Sequence, residues 1–199
     1  MSLSASQVYG MGCALLGAGT YAFMQTEKLD PIDAFYLSGM TFTTIGYGDI
    51  PHPSTRNGKL AMMILSLFSI GYFGNVLLPY LGQLRERLDT MFGSTGLISA
   101  VLLLVINGLV GGAMCHLLED PGLPKVSNPF DVMYWTFVTG TSVGYGDFAP
   151  KTSNGKIATV FYALFAMQSA GNACSLAGEW LKETFLSSRN TVDDTKKNK

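Results

Sequence analysis

The stretch DPIDAFYLSGMTFTTIGYGD beginning at Asp30 returns in altered form as NPFDVMYWTFVTGTSVGYGD beginning at Asn128, a shift of 98 positions. The two copies end in nearly the same heptapeptide, TTIGYGD at 43–49 and TSVGYGD at 141–147. One residue is then dropped. At a shift of 97, the NGK of Asn57–Lys59 falls on the NGK of Asn154–Lys156, and Gly74 and Asn75 fall on Gly171 and Asn172. A chain of 199 residues written twice over in this way builds one unit twice, and its fold is a tandem pair of that unit.

Composition says where the unit lives. Charged residues are 14% of the chain, well under the roughly 25% of an average soluble domain. Four segments, near 6–24, 60–84, 97–118 and 157–186, are apolar for about the 20 helical residues that cross a bilayer. The first has no positively charged leader before it and reads as a membrane helix rather than a cleaved signal. From Ser187 onward SSRNTVDDTKKNK is polar and free of aromatics, the composition of a disordered cytosolic tail. The chain therefore divides into a first repeat over 1–92, a second over 93–186 and a tail over 187–199. A net charge of −1 offers no basic footprint for nucleic acid. Three cysteines, Cys13, Cys115 and Cys174, all lie in apolar stretches and make no disulfide framework.

Between the long helices of each repeat lies a short one with its own start signal. Asp30 or Asn128 stands at the N-cap, Pro31 or Pro129 at the first helical position, and Asp33 or Asp131 two residues on. A helix from Pro31 to Phe42 spans about 18 Å at 1.5 Å per residue, too short to cross, so the segment enters the membrane and turns back. Non-helical backbone at that depth is tolerated only where it is buried in protein or lines water, which puts the glycine loop on an aqueous path. The expected fold is an all-α integral membrane protein with four transmembrane helices and two re-entrant helix–loop segments.

The loop suits a dehydrated monovalent cation. A pore that passes such an ion must replace its water oxygens, and successive backbone carbonyls aimed at one axis do so. Gly46, Gly48, Gly144 and Gly146 permit the required backbone angles. Thr44 and Ser142 can add hydroxyl oxygens at the inner end, and the negative end of each short helix favours a cation below it.

The motif T-[TS]-[IV]-G-Y-G-D resembles the potassium-channel selectivity filter, and the helix before it resembles a pore helix. Two such segments among four membrane helices resemble the two-pore-domain potassium channels. The stretch from TIGYGDI through GKLAMMILSLFSIGYFGNVLLPYLGQL and the CHLLE of Cys115–Glu119 carry the likeness further. By this resemblance Thr44, Ile45, Gly46, Tyr47 and Gly48, with Ser142, Val143, Gly144, Tyr145 and Gly146, bind permeant K+. The resemblance also implies filters that open outward and a homodimer in the lipid bilayer, because four filter strands are needed and each chain supplies two. Only Gln25 to Leu29 separates the first helix from Asp30, leaving no room for the extracellular cap of animal members, and Tyr145 is retained as in the plant and algal pattern. The housing membrane, plasma or vacuolar, is left open. No membrane helix carries Arg or Lys at every third position, so a leak or outward-rectifier conductance without a voltage sensor is expected.

Several residues have two readings. Asp49 and Asp147 either concentrate cations at the pore mouth or brace the filter through a hydrogen bond, for instance from Trp135 behind the second one. Gly74 and Gly171 are gating hinges or close-packing positions, and Asn75 and Asn172 face a cavity or a neighbouring helix. His52 senses external protons or is merely solvated. The competing functions are an ion-coupled potassium transporter, whose relatives have four repeats, and a non-conducting regulatory subunit. Neither His52 nor His116 sits in a catalytic or metal-ligating constellation, so no enzyme activity and no cofactor beyond K+ are expected.

Overall fold

Helix α1, Ala5–Glu27, begins at Ser4, whose Oγ accepts from Gln7 N while its own N–H donates to Gln7 Oε1, a reciprocal cap. It ends where Lys28 turns left-handed at φ 57°. Four more described helices follow: α2 Pro31–Phe42, α3 Arg56–Tyr72, α4 Gly96–Leu118 and α5 Pro129–Gly140. A sixth, α6, runs over 153–167. The computed structural model describes residues 4–77 and 96–167 with the single positions 79, 80, 83, 169, 171, 174, 178 and 182. The ends of the second and fourth long helices, the boundary between repeats, Asn172 and the tail lie outside the described residues.

The two short helices fall at the same place in each repeat, each twelve residues long with proline in its first turn. Their caps differ. Asp30 accepts from the N–H of Ile32 and of Asp33, as expected. Asn128 makes no such bond, because its Nδ2 donates instead to Asp131 Oδ2 at 2.6 Å. The long inner helices start a few residues before their apolar stretches, at threonine caps: Thr55 Oγ1 accepts from Gly58 N and Thr152 Oγ1 from Gly155 N, both at 3.0 Å.

Each repeat packs its outer helix on its short helix and inner helix through one small residue. At Gly19 a side chain would meet Ser38 and Leu65, and at Gly111 it would meet Thr136 and Tyr162, the same positions one repeat later. Around Gly19 sits a cluster of Phe23, Ala34, Leu37 and Leu65. The counterpart in the second repeat joins Cys115, Leu123, Trp135, Tyr162 and Ala166. Outward the surface stays apolar: Leu60, Met63, Ile64, Leu67 and Phe68 form an exposed stripe along α3, and Val101, Leu102, Val105 and Leu109 another on α4. The segments Arg56–Leu77 and Val101–Leu118 are long and apolar enough to cross a membrane.

Candidate functional site

The loops after α2 and α5 are held by the ends of the helices that precede them. Gly46 N donates to Met40 O at 3.2 Å, and Val143 N and Gly144 N donate to Val138 O at 3.1 and 3.3 Å. With these amides turned back into the short helix, their carbonyls are free to face the other way. The backbone then alternates: Thr44, Gly46 and Gly48 have φ of 57°, 56° and 74°, and Ser142, Gly144 and Gly146 have 58°, 55° and 72°. Left-handed residues at every second position are the geometry that brings successive carbonyls onto one side of an extended chain. Thr44 and Ser142 take it without being glycine, a local strain that the bonds to the helix end stabilise.

The two loops lie side by side in register. The Cβ position of Gly144 falls on the Ile45 carbonyl oxygen, that of Gly146 on the Tyr47 carbonyl oxygen, and Ser142 Oγ donates to Thr43 O at 3.4 Å. A side chain at either glycine would push the loops apart, so close approach as well as backbone angle demands glycine here. Residues 44–48 and 142–146 thus lie on two neighbouring loops.

Behind the loops, the first is walled by the second repeat. The Tyr47 hydroxyl hydrogen-bonds the Thr139 hydroxyl on α5. Trp135 lies one turn before Thr139 on the same face and is stacked on Tyr162 with ring centroids 5.0 Å apart. Trp135 therefore stands on the wall of the first loop, not behind the second. Nor does it brace an aspartate: Asp49 accepts from the Tyr36 hydroxyl at 3.0 Å, and Tyr134, one repeat on from Tyr36, stands beside Asp147. Asp49 and Asp147 open onto a cleft of about 770 Å³ shared with Asp131, Lys125, Lys151 and Lys156. His52 is exposed and lines a second cleft, of about 440 Å³, with Leu37 and Thr41.

Two carboxylates that sequence reasoning passed over tie each outer helix to the start of its inner helix. Glu27 accepts from Ser54 N and Oγ at 2.9 and 3.0 Å and from Thr55 N and Oγ1 at 3.1 and 2.6 Å. Asp120 accepts from Lys151 N at 2.9 Å, from Thr152 N and Oγ1 at 2.8 and 2.6 Å, and from Gly122 N at 2.8 Å. The NGK glycine explains itself here, since a Cβ at Gly58 or Gly155 would overlap the carboxylate. Burial pushes the Asp120 carboxyl up, but the bonds from Thr152, Lys151 and Gly122 outweigh it and hold the group below the usual carboxylate range. The repeats are also tied to each other: Lys156, at the start of α6, pairs with Asp33, at the start of α2.

At the far end of α3 the helix widens into a π turn over Phe73–Leu77, which contains Gly74 and Asn75. Asn75 Nδ2 donates to Gly71 O at 3.1 Å, and Gly171 sits in the corresponding helix of the second repeat. No cluster of three or more His, Cys, Asp or Glu able to hold a metal occurs among the described residues.

A family model described as "Ion channel" matches residues 10–85 and 99–183. Among curated proteins, the chain is 27% identical over 186 residues to Potassium channel subfamily K member 10 of Mus musculus, covering 82% of this chain and 34% of that protein. It is 29% identical over 178 residues to Two-pore potassium channel 4 of Arabidopsis thaliana, covering 75% of this chain and 60% of the relative. It is 38% identical over 79 residues, 40% of the chain, to Hyperpolarization-activated voltage-gated potassium channel of Methanocaldococcus jannaschii, 37% of whose length is matched. The chain spans about a third of the length of the mouse relative.

Proposed function

The chain belongs to the ion-channel family, and we propose that it forms a potassium-selective leak or outward-rectifier pore in which two copies supply four filter strands. It is a multi-pass membrane protein. One observation carries the reading: two TxGYG-type loops in register, alternate residues left-handed and amides tied back into short helices, so that carbonyl columns are left to face an ion.

In this mechanism an ion sheds water at the mouth, where Asp49 and Asp147 raise the local cation concentration, and meets carbonyl oxygens of Tyr47, Ile45, Tyr145 and Val143 with those of the four filter glycines. The hydroxyls of Thr44 and Ser142 serve the innermost position. Helices α2 and α5 end just before the filters and aim their negative dipole ends at the space below. The clamps of Glu27 and Asp120 fix where each inner helix starts. The π turn that holds Gly74 and Asn75 is the bend through which the first inner helix moves. Trp135 and Tyr36 hold the filter from behind. The repeats of 1–92 and 93–186 are thus two quarters of one ring.

Flux through purified protein in liposomes tests this. With a potassium gradient, thallium or potassium enters, sodium does not, and barium blocks. Sodium passing as readily as potassium would overturn the reading, and sealed vesicles around folded dimer would favour a regulatory subunit.

A further inference from the structure

Where α2 runs into the first filter, the chain is plugged by rings. Phe42, the last residue of α2, lies 5.5 Å from Tyr72 and 5.1 Å from Phe73 between ring centroids. All three are buried, and Leu15 of α1 packs against them. The Tyr72 hydroxyl donates to Val8 O at 3.0 Å, so the polar atom of the plug has its partner.

The repeat carries this place onto very different residues. Shifts of 98 along the short helix and 97 along the inner helix put Gly140, Ser169 and Ala170 where Phe42, Tyr72 and Phe73 stand. The shift of 92 that takes Gly19 to Gly111 puts Asn107 where Leu15 stands. Three rings give way to small side chains, and a leucine gives way to a carboxamide. The helices do not draw together in exchange. One turn away, the Cβ position of Gly19 lies 2.4 Å from Ser38 Oγ and that of Gly111 lies 2.4 Å from Thr136 Cγ2, so outer and short helix stand equally close in both repeats. The lost bulk therefore leaves room. A Cβ at Gly108 would meet nothing within 4 Å among the described residues.

Asn107 faces that room. The contacts of Gly111 with Thr136 and of Gly112 with Val132 make α4 and α5 antiparallel, so Asn107, one turn before Gly111, stands level with Gly140, one turn after Thr136. Side chains on a helix lean toward its start, which directs the carboxamide on toward the level of Ser169. Asn107 is 3% exposed, and its Oδ1 has no hydrogen-bond partner among the described residues. Ser169, also buried, donates its hydroxyl to Ala166 O at 2.8 Å and keeps lone pairs that can accept. The Tyr162 hydroxyl reaches Asn107 O over a long 3.4 Å and can accept in the same way. An apolar void of this kind stays dry, whereas a roomy one with two to four polar groups holds water.

We propose that the second repeat binds water at the foot of its filter, in a pocket between α4, the end of α5 and the inner helix, with Asn107 Oδ1, Ser169 Oγ and the Tyr162 hydroxyl as its hydrogen-bonding groups. The first filter then rests on three rings and the second on a hydrated pocket. The site lies within one chain and stands whether or not the pore conducts.

Hydroxyl-radical footprinting of the solubilised full-length protein tests it, because radicals formed from bound water oxidise the side chain beside that water. Tyr162 and Tyr72 are buried alike, at 4% and 6% exposure, and Tyr162 is expected to be labelled severalfold faster. Asn107→Leu copies Leu15, removes the acceptor and brings Tyr162 down to the level of Tyr72. Asn107→Ser keeps a hydroxyl, adds room and keeps the labelling, and it carries the comparison if the leucine variant fails to fold. Equal labelling of the two tyrosines in the wild type, or Tyr162 labelling unchanged in folded Asn107→Leu, overturns the site. A cryo-electron map that resolves ordered water shows a peak about 2.7–3.2 Å from Asn107 Oδ1, and a protein donor at that place instead overturns it as well.

Discussion

Replacing Asp120 by alanine removes the acceptor for four donors in one step: the N–H groups of Lys151, Thr152 and Gly122 and the Thr152 hydroxyl. Asp120 is 5% exposed, so the loss is that of a largely buried charged network rather than of a surface pair. Single bonds to a charged group contribute about 1.5–3 kcal/mol, and the freed donors at the start of α6 recover part of this from water. A net loss of about 3 kcal/mol is expected, at the low end for breaking a buried charged cluster. For a chain of this size that is a drop of roughly 6–12 °C in Tm, read by thermal unfolding of the solubilised protein. The folded carboxyl lies below its ordinary value, so its contribution is complete above the unfolded pKa and disappears as pH falls through the folded one. The Tm gap between wild type and Asp120→Ala should stay constant from pH 8 to 5 and begin to narrow below about pH 4. Two results would refute the reasoning: a variant within 2 °C of wild type at pH 7, or a gap that does not narrow in acid.

Tyr36→Phe removes the hydroxyl that holds Asp49 at 3.0 Å, and it should lower the potassium-to-sodium permeability ratio in liposomes while leaving the dimer intact; an unchanged ratio would assign that bond to folding alone. Trp135→Phe should reduce selectivity more than Leu37→Phe, because Trp135 fills the wall beside Tyr47 and stacks on Tyr162 whereas Leu37 lines a cleft, and equal ratios for the two variants would count against unequal walls.

What the sequence made legible is whatever repeats at a fixed shift. The short helices, with proline in the first turn and the GYGD loop behind, occur where the doubled pattern puts them, because caps and glycines act within a few residues of chain. The clamps were hidden for a physical reason. Glu27 reaches from the last turn of α1, whereas Asp120 stands just beyond a left-handed Glu119, so the same job is done by side chains of different length at positions that do not align. Only their partners repeat, the threonine and the glycine of TRNGK at 55–59 and TSNGK at 152–156. Trp135 was misplaced for a related reason. A motif shows which filter follows a helix along the chain but not which filter packs on it in space, and α5 turns its Trp135–Thr139 face to the loop of the other repeat.

That crossed packing makes the two kinds of wall complementary in volume. Inside the chain the small partner is Gly39, whose Cβ position lies 3.2 Å from the Val160 Cβ, and the large one is Trp135 beside Tyr47. At the corresponding positions of the other repeat the order reverses: Phe137 and Met63 stand for Gly39 and Val160, and Leu37 for Trp135. Bulk removed behind one filter is added beside the inner helix of the next, and interiors packed to crystal-like density have no slack to absorb either change alone. The two filters of the proposed pore are therefore unlike, with the second held by smaller groups. If one filter yields first when the pore closes, the packing assigns that role to the filter of Val143, Tyr145 and their glycines.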